Sequence, residues 1–333
     1  MPVDDLALDV VVRSEAKLAR NVENYPYPGS MDAAQEAEIL ERALALAEGG
    51  RYALLPLQAL PPVRRALMAE ERLLPARALK SEDESAAVAL DRESGVSVMI
   101  NGEDHLSFLA VRPGLCPLEA KARVEAAADA FAAQYRYAYD AQFGFLAPAL
   151  ADVGTGLRVT VTLHLPALEK AGGAEAAVKE CAAGHIAWAK MPLGSVYLIF
   201  NSATIGMTED EIALSVQAAA KKLIERERGE REKALMAQPW GIEEEMRCLQ
   251  EMLASDDSLS EKDCMLNWSF LRQAVTAGAL HRTLAEVDAL LPQSSPGHID
   301  TAAGAPLSAQ ERGARRLDIF RNFIGTQAVP ERI

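Results

Sequence analysis

The chain has 333 residues, half of them hydrophobic and a quarter charged, with a formal net charge of −14. This is the composition of a globular protein with core enough for one large domain and a smaller one, and its charge argues against nucleic acid or an anionic membrane as the main partner. No apolar run reaches the roughly 18 residues a membrane span needs, and the opening MPVDDLALDV has neither the basic nor the apolar region of a signal peptide, so a cytoplasmic protein is expected.

In chain order, Leu6–Arg13 reads as a first strand, and the following SEAKLARN segment as an exposed loop. Ser30 can cap a helix from Met31 to about Glu48 with an apolar stripe of Ala33, Ala37, Leu40, Leu44 and Ala47, closed by Gly49 and Gly50. A short strand Tyr52–Leu57 follows, then a helix opened by Pro61 and Pro62 and stopped near Leu74 by Pro75. Ala86–Leu90 and Val96–Asn101 read as a hairpin, Phe108–Val111 as a strand, and Pro117–Arg136 as a long helix burying Val124, Ala127, Ala128, Phe131 and Tyr135.

The clearest alternation lies in Leu157–Leu165, where Leu157, Val159, Val161, Leu163 and Leu165 share one side while Arg158, Thr160, Thr162 and His164 share the other. Ala174–Ala183 is an alanine-rich helix. His185–Lys190 and Val196–Phe200 are strands joined by the short Met191–Ser195 connection. Thr208 and Glu211 form a capping box for a helix to about Met236, whose ERERGEREK tail is a solvated charged face. Pro239 marks a boundary, after which Ile242–Leu253, Ser260–Thr276, Thr283–Leu290 and Ser308–Ile324 read as helices, with Ser255–Leu259 and Leu291–Gly304 as linkers. The expected fold is α+β: an antiparallel sheet flanked by helices over 1–238, then a small α-helical domain over 239–333.

Two features carry chemistry. Gly154-Thr155-Gly156 can adopt positive φ and present backbone N–H groups to an anion, with Arg158 emerging just beyond it; an ordinary turn before a strand is the other reading. Cys116, Cys181, Cys248 and Cys264 are scattered with no CxxC pair, so neither a zinc site nor a disulfide framework is expected, and all four read as buried thiols.

Five blocks in order carry a resemblance: KLARNVENYPYP, SVMINGEDHLSFL, YAYDAQFGFL through VGTGLR, VYLIFNSATIGMTEDEIA, and LSAQERGARRLDIFRNFI. Together they resemble the ATP:guanidino phosphotransferase (phosphagen kinase) family, most of all its bacterial protein-arginine kinases. The resemblance implies ATP and magnesium as cofactors and transfer of a phosphoryl group to arginine guanidinium groups on proteins. It makes Glu103, in the family's NEEDH segment, the catalytic carboxylate that orients and deprotonates the guanidinium. It assigns Arg158, Lys17, Gly154 and Gly156 to nucleotide phosphates, and Arg312 and Arg316, from an RDxxRA element, to phosphoarginine. It further implies a zinc-binding adaptor and a Clp-type protease as partners, and leaves open a homodimer.

The departures from the family pattern bear on activity. Glu15 stands where the first phosphate-binding arginine is expected, Lys17 where the second is, Ser107 in place of a third, and Arg72 in place of an adenine-contacting histidine. Gly102 replaces the first acid of NEEDH, Ala149 the reactive cysteine, Asp152 an asparagine, and Gly313 the aspartate of RDxxRA; the RGxYGEG lid shrinks to Met191–Ser195. Several cationic donors are needed to hold a triphosphate. Two functions are therefore expected in competition. One is a pseudokinase that binds a partner or phosphoarginine; the other is an active ATP-dependent protein-arginine kinase. A changed substrate with a rebuilt nucleotide site is a third.

Overall fold

A computed structural model describes residues 6–47, 49–81, 83–238 and 241–325. Eight strands form one antiparallel sheet: β1 (Val11–Arg20), β2 (Tyr52–Pro56), β3 (Ala87–Asp91), β4 (Ser97–Ile100), β5 (Leu106–Pro113), β8 (Leu157–His164), β9 (Ile186–Lys190) and β10 (Val196–Asn201). Their spatial order is β2-β3-β4-β5-β1-β8-β10-β9, and β6 (Tyr139–Asp140) and β7 (Gly144–Phe145) make a separate two-stranded ribbon. The SEAKLAR segment is thus the middle of the sheet and not a loop, and the first strand starts at Val11. Ser14, Ala16 and Leu18 point into the core while Arg13, Glu15 and Lys17 alternate on the other face. Charges on every second residue hide a strand whose inward positions are small and apolar.

One face of the sheet is covered by α3 (Pro117–Phe131) and α6 (Glu209–Ala237), with α1 (Ala33–Ala47) beside them. Phe131 meets Phe108 and Tyr52 edge-on at ring separations of 5.3 Å, and Tyr135 donates to the Ile39 carbonyl at 2.7 Å. On α1 the buried positions are Ile39 and Ala43, so the expected stripe through Ala33, Ala37 and Leu44 is displaced by about one residue position. The cap also differs: Asp32, not Ser30, accepts from the Gln35 amide, and Gln35 returns the bond to the Asp32 amide.

The opposite face is covered at its two ends. Toward β3 and β4, α2 (Pro62–Glu70) and a 3-10 turn at Ala76–Lys80 bury Met68, Leu74 and Ala78 against Val88 and Met99. Toward β8 and β10, the C-terminal helices lie on the sheet: α7 (Gly241–Ser255), α8 (Glu261–Thr276), α9 (Leu284–Asp288), α10 (Leu290–Gln293), α11 (Pro296–Ala303) and α12 (Ala309–Gly325). Their core includes Val196 of β10, and buried His164 of β8 meets the Ser269 hydroxyl of α8 at 2.8 Å. Two short helices, α4 (Pro166–Lys170) and α5 (Ala174–Cys181), complete the α6 side.

The stretch 291–304, expected as a linker, contains most of α10 and all of α11. Pro296 stands at the first turn of α11, where its missing N–H costs nothing, so the Ser-Pro-Gly run opens a helix here. That helix docks on α2: the Gly297 and His298 amides donate to the Glu70 carboxylate at 2.7 and 3.0 Å. Cys116, Cys181 and Cys264 are buried, but Cys248 is exposed. The boundary expected at Pro239 lies outside the described residues. No helix among the described residues is long and apolar enough to cross a membrane.

Candidate functional site

The middle of the half-covered face is polar. Antiparallel register sets Lys17 opposite Arg158, Glu15 opposite Thr160, and Arg13 opposite Thr162 on adjoining strands β1 and β8. Directly opposed residues project from the same face, so β1 and β8 lay down a row of alternating charge: Arg13, Glu15, then Lys17 beside Arg158. On the other flank of β1, Ser107 pairs with both Ala19 and Met99, which places it on this face too.

Glu103 reaches the row from the β4–β5 loop. Asn101 takes positive φ there, and the Asn101 amide donates to the His105 carbonyl at 2.9 Å, closing the turn. Asp104 and His105 tie the loop to the end of β1: Asn21 donates to Asp104 at 3.0 Å, the Val22 amide donates to His105 Nδ1 at 2.9 Å, and His105 Nε2 donates to the Pro26 carbonyl at 2.9 Å. Burial pushes the Asp104 carboxyl above its ordinary range and holds His105 below its own. Glu103 itself stays half-exposed.

Every cation in the cluster faces a carboxylate of the chain. Lys17 Nζ lies 3.6 Å from Glu103, 3.9 Å from Asp104 and 3.9 Å from Asp152. Arg158 lies 3.9 Å from Asp152, donates weakly to the Asn201 carbonyl at 3.4 Å, and has its guanidinium 5.4 Å from the centre of the Phe200 ring. Arg77, from the 3-10 turn, pairs with Glu103. Glu15 accepts from Arg13 at 2.5 Å and lies 3.7 Å from Arg72. Burial first, then the neighbouring Arg13 charge, lowers the Arg72 pKa, with Glu15 pulling the other way. A cavity of about 340 Å³ opens between this cluster and the 3-10 turn, lined by Lys17, Leu73, Arg77, Met99, Glu103 and Ser107.

Arg13 and Arg77 were not singled out from the sequence. Arg13 was readable, since it continues the Glu15–Lys17 alternation outward. Arg77 was not, because only the 3-10 turn brings it over the sheet. Arg72, expected as a solvated helix-end residue, is exposed but also reaches Glu15; it takes φ of +61° just past the end of α2.

The glycine turn sits beside the cluster in tight packing. Gly154 has φ of +112°, and a Cβ there would meet the Thr204 carbonyl oxygen at 2.4 Å; at Gly156 it would meet the Ala19 carbonyl oxygen at 2.7 Å. The Gly154 amide donates to Phe145 and the Thr155 amide to Thr204, both at 3.0 Å. Those two N–H groups hold the turn to its neighbours. Arg20 lies behind it, buried, donating to the Ala19 and Thr155 carbonyls with its guanidinium 3.5 Å from the Phe145 ring; burial lowers its pKa to about 10.

Arg312 and Arg316 belong to none of these ion pairs. Arg312 forms a two-pronged bond with Asp300 of α11, at 2.8 and 2.5 Å. Arg316 is buried, donating to the Ser294 carbonyl and to Glu261 at 2.9 Å each. Asp300, which sequence reasoning passed over, is held by Arg312 and by the Leu307 amide. Among the described residues no group of three or more His, Cys, Asp or Glu side chains is placed to hold a metal ion.

Residues 36–230 match the family model of the ATP:guanido phosphotransferase C-terminal catalytic domain. The chain is 29% identical to the protein-arginine kinase of Caldanaerobacter subterraneus subsp. tengcongensis over 331 residues, covering 96% of this chain and 97% of that one. It is 28% identical to the protein-arginine kinase of Moorella thermoacetica over 333 residues, covering 95% and 94%. Among solved structures, a lombricine kinase superposes with a TM-score of 0.57 at 20% identity, over 66% of this chain and 67% of that one. The duplicated taurocyamine kinase of Schistosoma mansoni gives 0.57 at 17% identity, over 66% of this chain and 33% of that one.

Proposed function

The chain belongs to the ATP:guanido phosphotransferase family, and from that membership we propose a protein-arginine-kinase-like protein whose own phosphoryl transfer is weak or lost and which acts by binding a protein partner. The observation that carries this reading is the pairing of each cation on the site face with a carboxylate from the same chain. Magnesium triphosphate fits this set of residues poorly. A phosphate brought within about 4 Å of Glu15 meets a repulsion of about 4 kcal/mol at an effective dielectric of about 20. To reach Arg13, Arg72 or Lys17 it must also displace Glu15, Glu103 or Asp152. The connection Met191–Ser195 turns tightly between β9 and β10, with Met191 donating to the Val196 carbonyl, so it offers no lid to exclude water.

Arg312 and Arg316 are the groups on this reading that take phosphoarginine, with residues 239–333 as the helical binding module. A phosphoryl group would there compete with Asp300 and Glu261 for the two guanidiniums. Protein partners bearing arginine remain the class of target.

The second reading, an active protein-arginine kinase, is favoured by the three extra arginines on the same face as Lys17 and Arg158: Arg77 joins Lys17 at a half-exposed Glu103, and Arg13 and Arg72 flank Glu15. Calorimetry with magnesium and ATP separates the two. We expect no saturation up to millimolar nucleotide, and transfer of labelled γ-phosphate to an arginine-rich protein about 10³-fold or more below that of an active relative. Micromolar binding together with transfer that Glu103→Gln abolishes would establish the kinase instead.

A further inference from the structure

Around Glu103 the chain sets three carboxylates against three cations. Lys17 lies 3.6 to 3.9 Å from Glu103, Asp104 and Asp152, Arg158 lies 3.9 Å from Asp152, and Arg77 pairs with Glu103. Burial lowers the Arg77 pKa, and the charges of Asp104 and Asp152 offset part of that, so its guanidinium lies in the field of all three carboxylates. Farther along the row Arg13 and Arg72 share Glu15. Among the described residues, then, five cations face four carboxylates, and none of the four lacks a cation. A guanidinium arriving from outside meets a positive excess and no vacant carboxylate. It enters only by exchange, one cation leaving as another arrives.

Arg77 is the cation at Glu103 best placed to leave. Lys17 stands on β1 and Arg158 on β8, in the middle of the sheet, with side chains 29% and 32% exposed. Arg77 stands on the 3-10 turn Ala76–Lys80 and is 41% exposed. The turn itself is a strap pinned at separate points. Leu74 and Ala78 are buried with Met68 and Met99, and the Ser81 carbonyl beyond accepts from Arg65 of α2 at 2.8 Å. Between those pins the Arg77 side chain leaves Glu103 by a change of rotamer alone, with no strand displaced. The cavity of about 340 Å³ beside it has apolar walls of Leu73, Met99 and Leu109, room for the stem of a second arginine.

We propose that Arg77 is an autoinhibitory contact: the chain's own guanidinium holds Glu103, and a guanidinium from outside gains that carboxylate only when the Arg77 side chain swings away. The strap thus sets how tightly the face holds any arginine, whatever partner carries it. Loss of Arg77 leaves Glu103, Asp104 and Asp152 with Lys17 and Arg158, one cation short, and an incoming guanidinium makes up the difference. The inference rests on the reading that the protein binds partners bearing arginine, and it names what regulates that binding.

The test is calorimetry of the full chain at pH 8 and low salt, without nucleotide, against Nα-acetyl-arginine amide, with the uncharged citrulline analogue as control. Arg77→Ala is expected to bind the arginine amide about tenfold or more tightly than the parent does, and to gain nothing toward the citrulline analogue. Its unfolding temperature should not change, because the side chain is exposed. Arg77→Lys keeps a charge at Glu103 and should stay within about threefold of the parent. Lys80→Ala removes an exposed cation from the same turn and should also stay within about threefold. An equal gain at Lys80→Ala would make the effect one of net charge and overturn the inference. Adding Glu103→Gln to Arg77→Ala should abolish the gain, and a gain that survives it overturns the inference as well. So does a smaller gain for Arg77→Ala, whether the parent binds the amide or not. Nucleotide binding and phosphoryl transfer are measured separately on the parent. Vigorous transfer there defeats the attenuated-kinase reading and leaves the Arg77 contact standing, whereas a variant that gains nothing defeats the contact and leaves that reading.

Discussion

Glu15 is the residue on which the chemistry of the site turns. It stands on the central strand between Arg13 and Arg72, and one carboxylate oxygen approaches both guanidiniums, at 2.5 and 3.7 Å. An isosteric amide at this position keeps the strand and removes the charge. Both arginines are then left facing solvent and each other, and a dianion can satisfy what the carboxylate did. Glu15→Gln is expected to raise affinity for inorganic pyrophosphate at least tenfold, read by calorimetry at low salt where screening is small. The same variant should gain little at pH values where pyrophosphate is largely protonated. If affinity does not rise, Glu15 is not what keeps anions from the face. Lys17 is the weaker lever, because its ammonium is shared among three carboxylates and Glu103 keeps Arg77 when Lys17 is lost.

At the scale of elements, the covers over the sheet are held by helix-end chemistry that one methyl group can test. Gly297 on α11 sits where a Cβ would lie 2.6 Å from the Leu67 amide nitrogen and 2.8 Å from the Glu70 carboxylate. Gly297→Ala must push α11 off α2 and pull the Gly297 and His298 amides from Glu70, leaving donors at a helix start unsatisfied. A loss of about 2–4 kcal/mol in unfolding free energy is expected, measured by urea denaturation; an unchanged midpoint would mean that the two helices separate freely. This contact was illegible in the sequence, where Ser294-Ser295-Pro296-Gly297 reads as a chain of breakers and only the docked partner shows a helix start. The β8 strand was legible on one side, where Leu157, Val159, Val161 and Leu163 bury in alternation with no turn residue between them; the burial of Thr162 and His164 on the other side, where His164 meets α8, was not. β1 was half-legible: of its inward residues Ser14, Ala16 and Leu18, the first two are too small or polar to announce a core strand beside three charges. For the site the same division holds. Lys17, Arg158 and Glu103 are brought together because they lie on strands or on the loop between two, whereas Arg72 and Arg77 arrive through the end of α2 and a 3-10 turn, whose placement no local pattern encodes.

The molecule as a whole depends on buried carboxylates outside the charged face as well as within it. Glu227 of α6 has no exposed surface, and its two oxygens accept from the Ala167 and Leu168 amides at 3.0 and 2.9 Å, capping α4. Burial pushes its pKa from the ordinary 4.5 up to about 7, against the pull of those two amides and of Arg231, with Asp9 adding to the rise. Between about pH 4.5 and 7 the folded chain therefore holds a proton that the unfolded chain has released. Stability from this group falls as pH rises through that window, by up to about 3 kcal/mol. Asp104, also raised by burial, slopes the same way. Asp9 slopes oppositely: burial raises it, but Arg228 and Arg231 overcome that and hold it low, so its contribution is lost only in stronger acid. Urea unfolding of the parent at pH 5, 6 and 7 should show declining stability, and Glu227→Gln should remove most of that decline while costing about 1 kcal/mol at pH 5 for the acceptor it lacks. A decline that survives intact in the glutamine variant would assign the slope to Asp104 and leave Glu227 ionised in the folded protein. The capping geometry, with one backbone N–H on each oxygen, would then be holding a buried anion.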